Sequence, residues 1–297
     1  MSAGERALVL GGGGSTGNAW LIGVLAGLLD AGLDVTTTAD LTSGTSAGAT
    51  AAAQIAGASP TALFAATMAA TPPQRPGPAG SDRGRAPGGP VANHLERTRR
   101  IIADAEDPAD MRRRLGAAAL DLDAASDGSF QGQWRATVAA RLPSDVWPER
   151  AMLITAVDAE TGEPVVFDRH TGIDLVDAVA ASCASGLPYR IGEGRYIDGG
   201  YRSNADNADL AAGSARVLVL SPFSGRTRTP MAWGLHLATQ VDELRARGST
   251  VETVFPDPGA DHLFGSNAMD PSLRLPAAQA GHDQGGVLAG QLGEFWR

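Results

Sequence analysis

Apolar and polar positions alternate between two rhythms over the first sixty residues. Residues 7–10 (ALVL) form an unbroken apolar run of strand length. After a cluster of glycines, Trp20, Leu21, Val24, Leu25, Leu28 and Leu29 recur at i, i+1, i+4 and i+5. That spacing predicts one apolar helix face, and Gly32 is its natural stop. Residues 40–43 (DLTS) are extended again, and an alanine-rich helix is expected from there to about residue 57. Two strand–turn–helix units in succession predict a parallel α/β sheet.

The rhythm then breaks. Residues 71–94 are rich in proline and glycine, have no periodicity and predict a surface loop. Residues 95–141 read as helical and highly charged, and with the loop they form a candidate lid over a cleft. Order returns at 152–157 (MLITAV), a strand that turns through 160–163 (ETGE) into 165–167 (VVF), a predicted hairpin. A helix is expected from about residue 174, with Leu175, Val176, Val179, Ala180 and Cys183 on one side. A second hairpin over 189–197, turning at 192–194 (GEG), ends in Asp198-Gly199-Gly200. Residues 217–220 (VLVL) read as a buried strand. Helices near 233–247 and 276–292 flank a strand at 250–255. No repeat and no linker divides the chain, so a single domain over 1–297 is expected.

Composition narrows the class. Apolar residues make up 43% and charged residues 19% of the chain, a profile for globular rather than disordered protein. No apolar run approaches the roughly 18 residues of a membrane span, and no signal-peptide core follows the N-terminus; a cytoplasmic enzyme is the expectation. The net charge is −9 and every basic residue is arginine, which argues against nucleic acid as a partner. A lipid substrate would be held chiefly by apolar contact. One cysteine, Cys183, excludes a disulfide framework and is expected to pack as a small buried side chain. His94, His170, His236, His262 and His282 are scattered without metal-ligand spacing, so neither a metal nor an organic cofactor is expected.

Two glycine motifs carry the chemistry. Gly12-x-Gly14-x-x-Gly17 follows the first strand and opens the first helix, so its amides are placed to meet a negative charge. That charge could be a dinucleotide pyrophosphate or an oxyanion. A dinucleotide site needs an acidic residue at the end of the second strand. Asp30 falls within the first helix and Asp34 precedes the second strand. The strand's end is occupied instead by Gly44-Thr45-Ser46-Ala47-Gly48, which matches the G-x-S-x-G nucleophile elbow. A serine nucleophile needs a base, and no histidine sits in a recognisable triad context. Asp198, at the end of a β-ribbon before two glycines, is a candidate, because a carboxylate in a dry site can rise toward neutrality.

A glycine-rich loop after the first strand, G-x-S-x-G after the second, and D-G-G about 150 residues later resembles the patatin-like phospholipase family. The resemblance covers 6–57 and roughly 151–222. It implies a three-layer α/β/α fold with the nucleophile elbow after the second strand. Residue by residue it implies Ser46 as nucleophile, Asp198 as general base, and the amides of Gly12, Gly13 and Gly14 as oxyanion hole, with Gly17, Gly44, Gly48, Gly199 and Gly200 as motif glycines. The implied activity is a serine acyl hydrolase acting on lipid or other esters, with transient contact at a membrane surface. A catalytically silent lipid-binding protein and a dinucleotide-dependent oxidoreductase are the alternatives. One departure stands out. Thr16 occupies the position before Gly17, where the family often has Arg or Lys.

Overall fold

The computed structural model describes residues 5–70 and 90–297. Strand β1 (Arg6–Leu10) leads through the glycines into helix α1 (Gly14–Asp30), and β2 (Leu41–Gly44) leads through the serine turn into α2 (Ala47–Gly57). Helix α3 (Pro60–Ala69) follows at once. Its start is built from Ser59, which caps the Ala62 amide, and Pro60 at the first helical position.

Helices α4 (Pro90–Asp104), α5 (Pro108–Ala124) and α6 (Phe130–Ala139) fill the charged region. The expected loop over 71–94 therefore ends early, because a helix is under way by Pro90. Its residues 71–89 lie outside the described residues.

The second half comprises β3 (Ala151–Asp158), β4 (Pro164–Phe167), α7 (Leu175–Ser182), β5 (Tyr189–Ile191), β6 (Gly194–Asp198), β7 (Arg216–Leu220), α8 (Leu237–Ala246), β8 (Thr250–Val254) and α9 (Arg274–Trp296). Both expected hairpins form: β3 pairs antiparallel with β4, and β5 with β6. The eight strands make one sheet in the order β5-β6-β3-β2-β1-β7-β8, with β4 also on β3. The five strands β3, β2, β1, β7 and β8 run parallel.

Helices cover both faces, as side-chain alternation along each strand requires. Leu8 and Leu10 of β1, with Leu218 and Leu220 of β7, join the core beneath α1, α2, α7 and α9. Ala7, Val9, Val217 and Val219 turn the other way, onto Leu237, Val241 and Leu244 of α8. Helix α5 completes that second layer through Met111, Leu115 and Ala119, packed on Val157 and Ile197. Among the described residues no helix is long and apolar enough to cross a membrane.

Helices α1 and α9 meet backbone to backbone. A Cβ on Gly23 or Gly27 would overlap the carbonyls of Ala278 and His282, and one on Gly281 or Gly285 would overlap those of Trp20 and Val24. These are two reciprocal G-x-x-x-G stripes, and the contact leaves no side chain to yield. Trp20, fully buried, seals the seam by donating to Gln284 Oε1 at 3.1 Å.

Neighbouring glycines on α9 therefore make opposite predictions. Gly285→Ala is expected to cost about 2–3 kcal/mol through overpacking. Gly286 has nothing within 4 Å of its Cβ direction, so Gly286→Ala is expected to add about 0.5–1 kcal/mol of helix propensity. Urea midpoints of the two variants check both signs.

Candidate active site

The topology of β3 brings the two candidate catalytic residues together. On one edge β3 pairs with β2 up to Gly44 opposite Ile154, and then with the antiparallel β6, whose last residue, Asp198, lies opposite Ala156. Strand β4 occupies the other edge over the same stretch. Strands β2 and β6 thus end head to head, and the turns that follow them share one space.

Ser46 stands at the head of α2 with φ 54° and ψ −112°, a backbone state that costs a non-glycine residue about 1–3 kcal/mol. The sharp turn depends on its flanking glycines. A Cβ on Gly44 would lie within 2.8 Å of the Gly48–Ala49 backbone, and one on Gly48 would overlap the Leu10 carbonyl. The Ser46 amide donates to Ser182 Oγ at 2.9 Å, and its carbonyl accepts from the Cys183 thiol at 3.1 Å. Cys183 packs partly buried against the core. Desolvation and the nearby Asp198 charge push its thiol up to about 12, so it remains a donor.

The Ser46 hydroxyl donates to Asp198 Oδ2 at 2.8 Å. Asp198 Oδ1 accepts from the Gly200 amide, also at 2.8 Å. Burial pushes this carboxyl up to about 6, against the opposing pull of those two hydrogen bonds. It is therefore a base poised near neutrality and already in contact with its proton donor. Gly199 has to be glycine because a Cβ would collide with Thr155. Gly200 has more room, and its contribution is its amide.

The glycine loop is packed from three sides. A Cβ on Gly13 would strike Pro222 at 2.5 Å, one on Gly17 would meet the same proline at 3.0 Å, and Gly14, at φ 65°, faces the Ala268 carbonyl. The Gly12 amide donates to the Ala205 carbonyl at 2.7 Å, so it is not free for a substrate as the resemblance implied. The amides of Gly13 and Gly14, and that of Ala47 at the start of α2, donate to no acceptor among the described residues.

Two residues between 199 and 210 belong to the site although no motif in the sequence marks them. Asn207, fully buried, donates from its one amide nitrogen to Thr45 Oγ1 and to the Gly199 carbonyl, each at 3.0 Å. It therefore ties the residue before Ser46 to the residue after Asp198. Its φ of 51° is one that asparagine tolerates. Asn207→Gly keeps that backbone freedom and removes the bridge. It is expected to destabilise the fold by about 1–3 kcal/mol through the two buried hydrogen bonds lost, read from urea midpoints.

Asp206 lies 2% exposed against Gly11, with Oδ1 unpartnered. Burial pushes it up to about 7, opposed only by the Ser221 hydroxyl. Both Asp198 and Asp206 hold protons in the fold at pH values where the unfolded chain, titrating near 3.8, has lost them. Stability contributed this way is complete at low pH and is lost as pH rises through about 4 to 7. Asp206→Asn is expected to match the wild type at pH 4 and to exceed it by on the order of 3 kcal/mol at pH 8, read from urea midpoints.

The other candidates disperse. Asp30 pairs with His282 at 3.0 Å and with Thr61, and Asp34 caps the turn at Thr36 and Thr37. Neither faces the glycine loop as a ribose partner would. His94 contacts Tyr201, His236 the Thr229 carbonyl and His262 the Gly259 carbonyl. Among the described residues no histidine reaches Ser46 or Asp198.

A family model described as Patatin-like phospholipase matches residues 8–211. No curated protein matches the chain. Two solved structures are similar at low identity. VipD from Legionella pneumophila is 13% identical with a TM-score of 0.42, over 97% of this chain and 67% of that one. The type III effector protein ExoU is 17% identical with a TM-score of 0.31, over 93% of this chain and 54% of that one.

Proposed function

The chain belongs to the patatin-like phospholipase family, and from that premise we propose that it is a serine acyl hydrolase that cleaves lipid or other carboxylic esters through a Ser46–Asp198 dyad. The observation that carries this reading is the 2.8 Å hydrogen bond from the Ser46 hydroxyl to a buried carboxylate.

Asp198 Oδ2 takes the hydroxyl proton as Ser46 Oγ attacks the ester carbonyl. The negative charge passes to the carbonyl oxygen, which accepts from the Gly13 and Gly14 amides and from that of Ala47. Each such donor is worth about 2.7–4 kcal/mol of barrier. Collapse of the tetrahedral intermediate breaks the ester C–O bond, and Asp198 returns the proton to the leaving alcohol. Water, deprotonated by the same carboxylate, then attacks the acyl-serine; the acyl–Oγ bond breaks, Asp198 returns the proton to Ser46 Oγ, and the carboxylic acid leaves. The exposed Met269 lies beside Gly14 and offers apolar surface for an acyl chain, or for transient contact with a lipid interface.

The test is hydrolysis of a p-nitrophenyl ester series from acetate to palmitate, with monomeric and micellar substrate, together with fluorophosphonate labelling. Hydrolysis at some chain length, with the label on Ser46, is expected. A protein that binds lipid, hydrolyses none of the series and takes no label would instead be a silent member of the family.

A further inference from the structure

Arg274, the first residue of α9, reaches back across the chain to the start of α1. Its guanidinium donates to the Ser15 carbonyl at 2.7 Å, more weakly to Ser15 Oγ at 3.4 Å, and to Asn18 Oδ1 at 3.1 Å. These acceptors sit one to five residues past the free Gly13 and Gly14 amides. Asn18 continues the contact by donating to Gln54 Oε1 at 2.9 Å, and Gln54 Nε2 donates to the Arg141 carbonyl at 3.1 Å. The guanidinium is thus wired to both helices that begin at the site.

Its electrostatic setting is unusual. Burial and the positive charge of Arg141 both work against the charged form of this guanidinium. It also lies at the N-terminal end of α1, where the helix dipole disfavours a cation. Partial burial, a like charge and an unfavourable dipole all raise the cost of placing a cation here. A surface arginine with no task would turn outward to water. In this fold the guanidinium is held inward on neutral acceptors at the start of α1, next to the turn that carries the Gly13 and Gly14 amides.

We propose that Arg274 is a positioning residue for ester hydrolysis: its planar fork fixes the first turn of α1, and its charge favours the oxyanion held by the Gly13–Gly14 loop. It lies outside the stretch matched by the family model, which ends at residue 211. The inference rests on the acyl hydrolase reading, and the experiment separates the two.

Arg274→Met and Arg274→Lys are compared with the wild type on p-nitrophenyl butyrate, a neutral ester, with kcat, KM and thermal melts recorded for each. For Arg274→Met, kcat is expected to fall about 30–100-fold, somewhat less than the loss of a direct oxyanion donor. KM should stay within about threefold and the melting temperature within about 3 °C, since the lost hydrogen bonds are offset by removal of a partly buried charge beside Arg141. Arg274→Lys keeps the charge and loses the fork, so it should remain within about fivefold of the wild-type kcat. Millimolar guanidinium should restore part of the kcat of Arg274→Met and leave that of the wild type unchanged.

An active wild type with Arg274→Met within twofold in kcat overturns the inference. So does an Arg274→Lys enzyme as impaired as Arg274→Met, or a kcat loss that merely follows the loss of folded protein. If Arg274→Met does not fold, the lysine variant decides alone. A wild type that hydrolyses no ester overturns the acyl hydrolase reading instead.

Discussion

Ser46→Ala is expected to reduce kcat on p-nitrophenyl esters by at least about 10⁴-fold, the scale seen when a serine nucleophile is removed from a preorganised site. The variant should fold as the wild type does. Among the described residues the hydroxyl is held by Asp198 alone, while the turn is fixed by the Ser46 amide on Ser182 and its carbonyl under Thr50 and Cys183. Alanine keeps every backbone contact. Fluorophosphonate labelling should vanish with the activity, and lipid binding should survive. Undiminished hydrolysis in purified Ser46→Ala would mean that the nucleophile lies elsewhere.

Asp198→Asn is expected to lose about 10³-fold or more in kcat, for a different reason. Asparagine keeps the size of the side chain and its acceptor for the Gly200 amide but cannot take a proton. On the proposed dyad mechanism Asp198 takes the proton only when ionised, so the wild-type kcat/KM should rise tenfold per pH unit below about 6 and level off above it. The residual rate of Asp198→Asn should lack that limb. If the mutant retained an acid limb near pH 6, the base would be some other group, and the hydrogen bond at Ser46 would be structural.

The parts of this site that are close in sequence are legible in the amino-acid order alone. The glycine loop and the serine turn each lie between a readable strand and a readable helix, so residue type and spacing are enough to find them. The pairing of Ser46 with Asp198 is a different matter. The two are 152 residues apart, and they meet because β2 and β6 share one edge of β3, which no periodicity encodes. In the sequence, only the family resemblance links them.

The engagement of the Gly12 amide is not legible either, since it depends on the Ala205 carbonyl, which comes from far along the chain. Asn207 lies within the stretch that resembles the family, but its residue type fits any polar turn. Helix α3 gives no signal because its sequence, PTALFAATMA, carries no apolar stripe; only Pro60 is buried. Thr16 signals that the first motif lacks a charge. Nothing in the sequence signals that Arg274 brings one from far along the chain.

The glycine seam between α1 and α9 also sets an order of events in the cell. Helix α1 is complete by residue 30, and its partner begins at residue 274. At about 5–20 residues per second, synthesis keeps the first helix waiting on the order of 10–50 seconds for the surface it must cover. During that interval Trp20, Val24 and Leu28 have no α9 to bury them. The nascent chain therefore carries the serine turn at the head of α2 through that whole interval without the helix that delivers Arg274 to the start of α1.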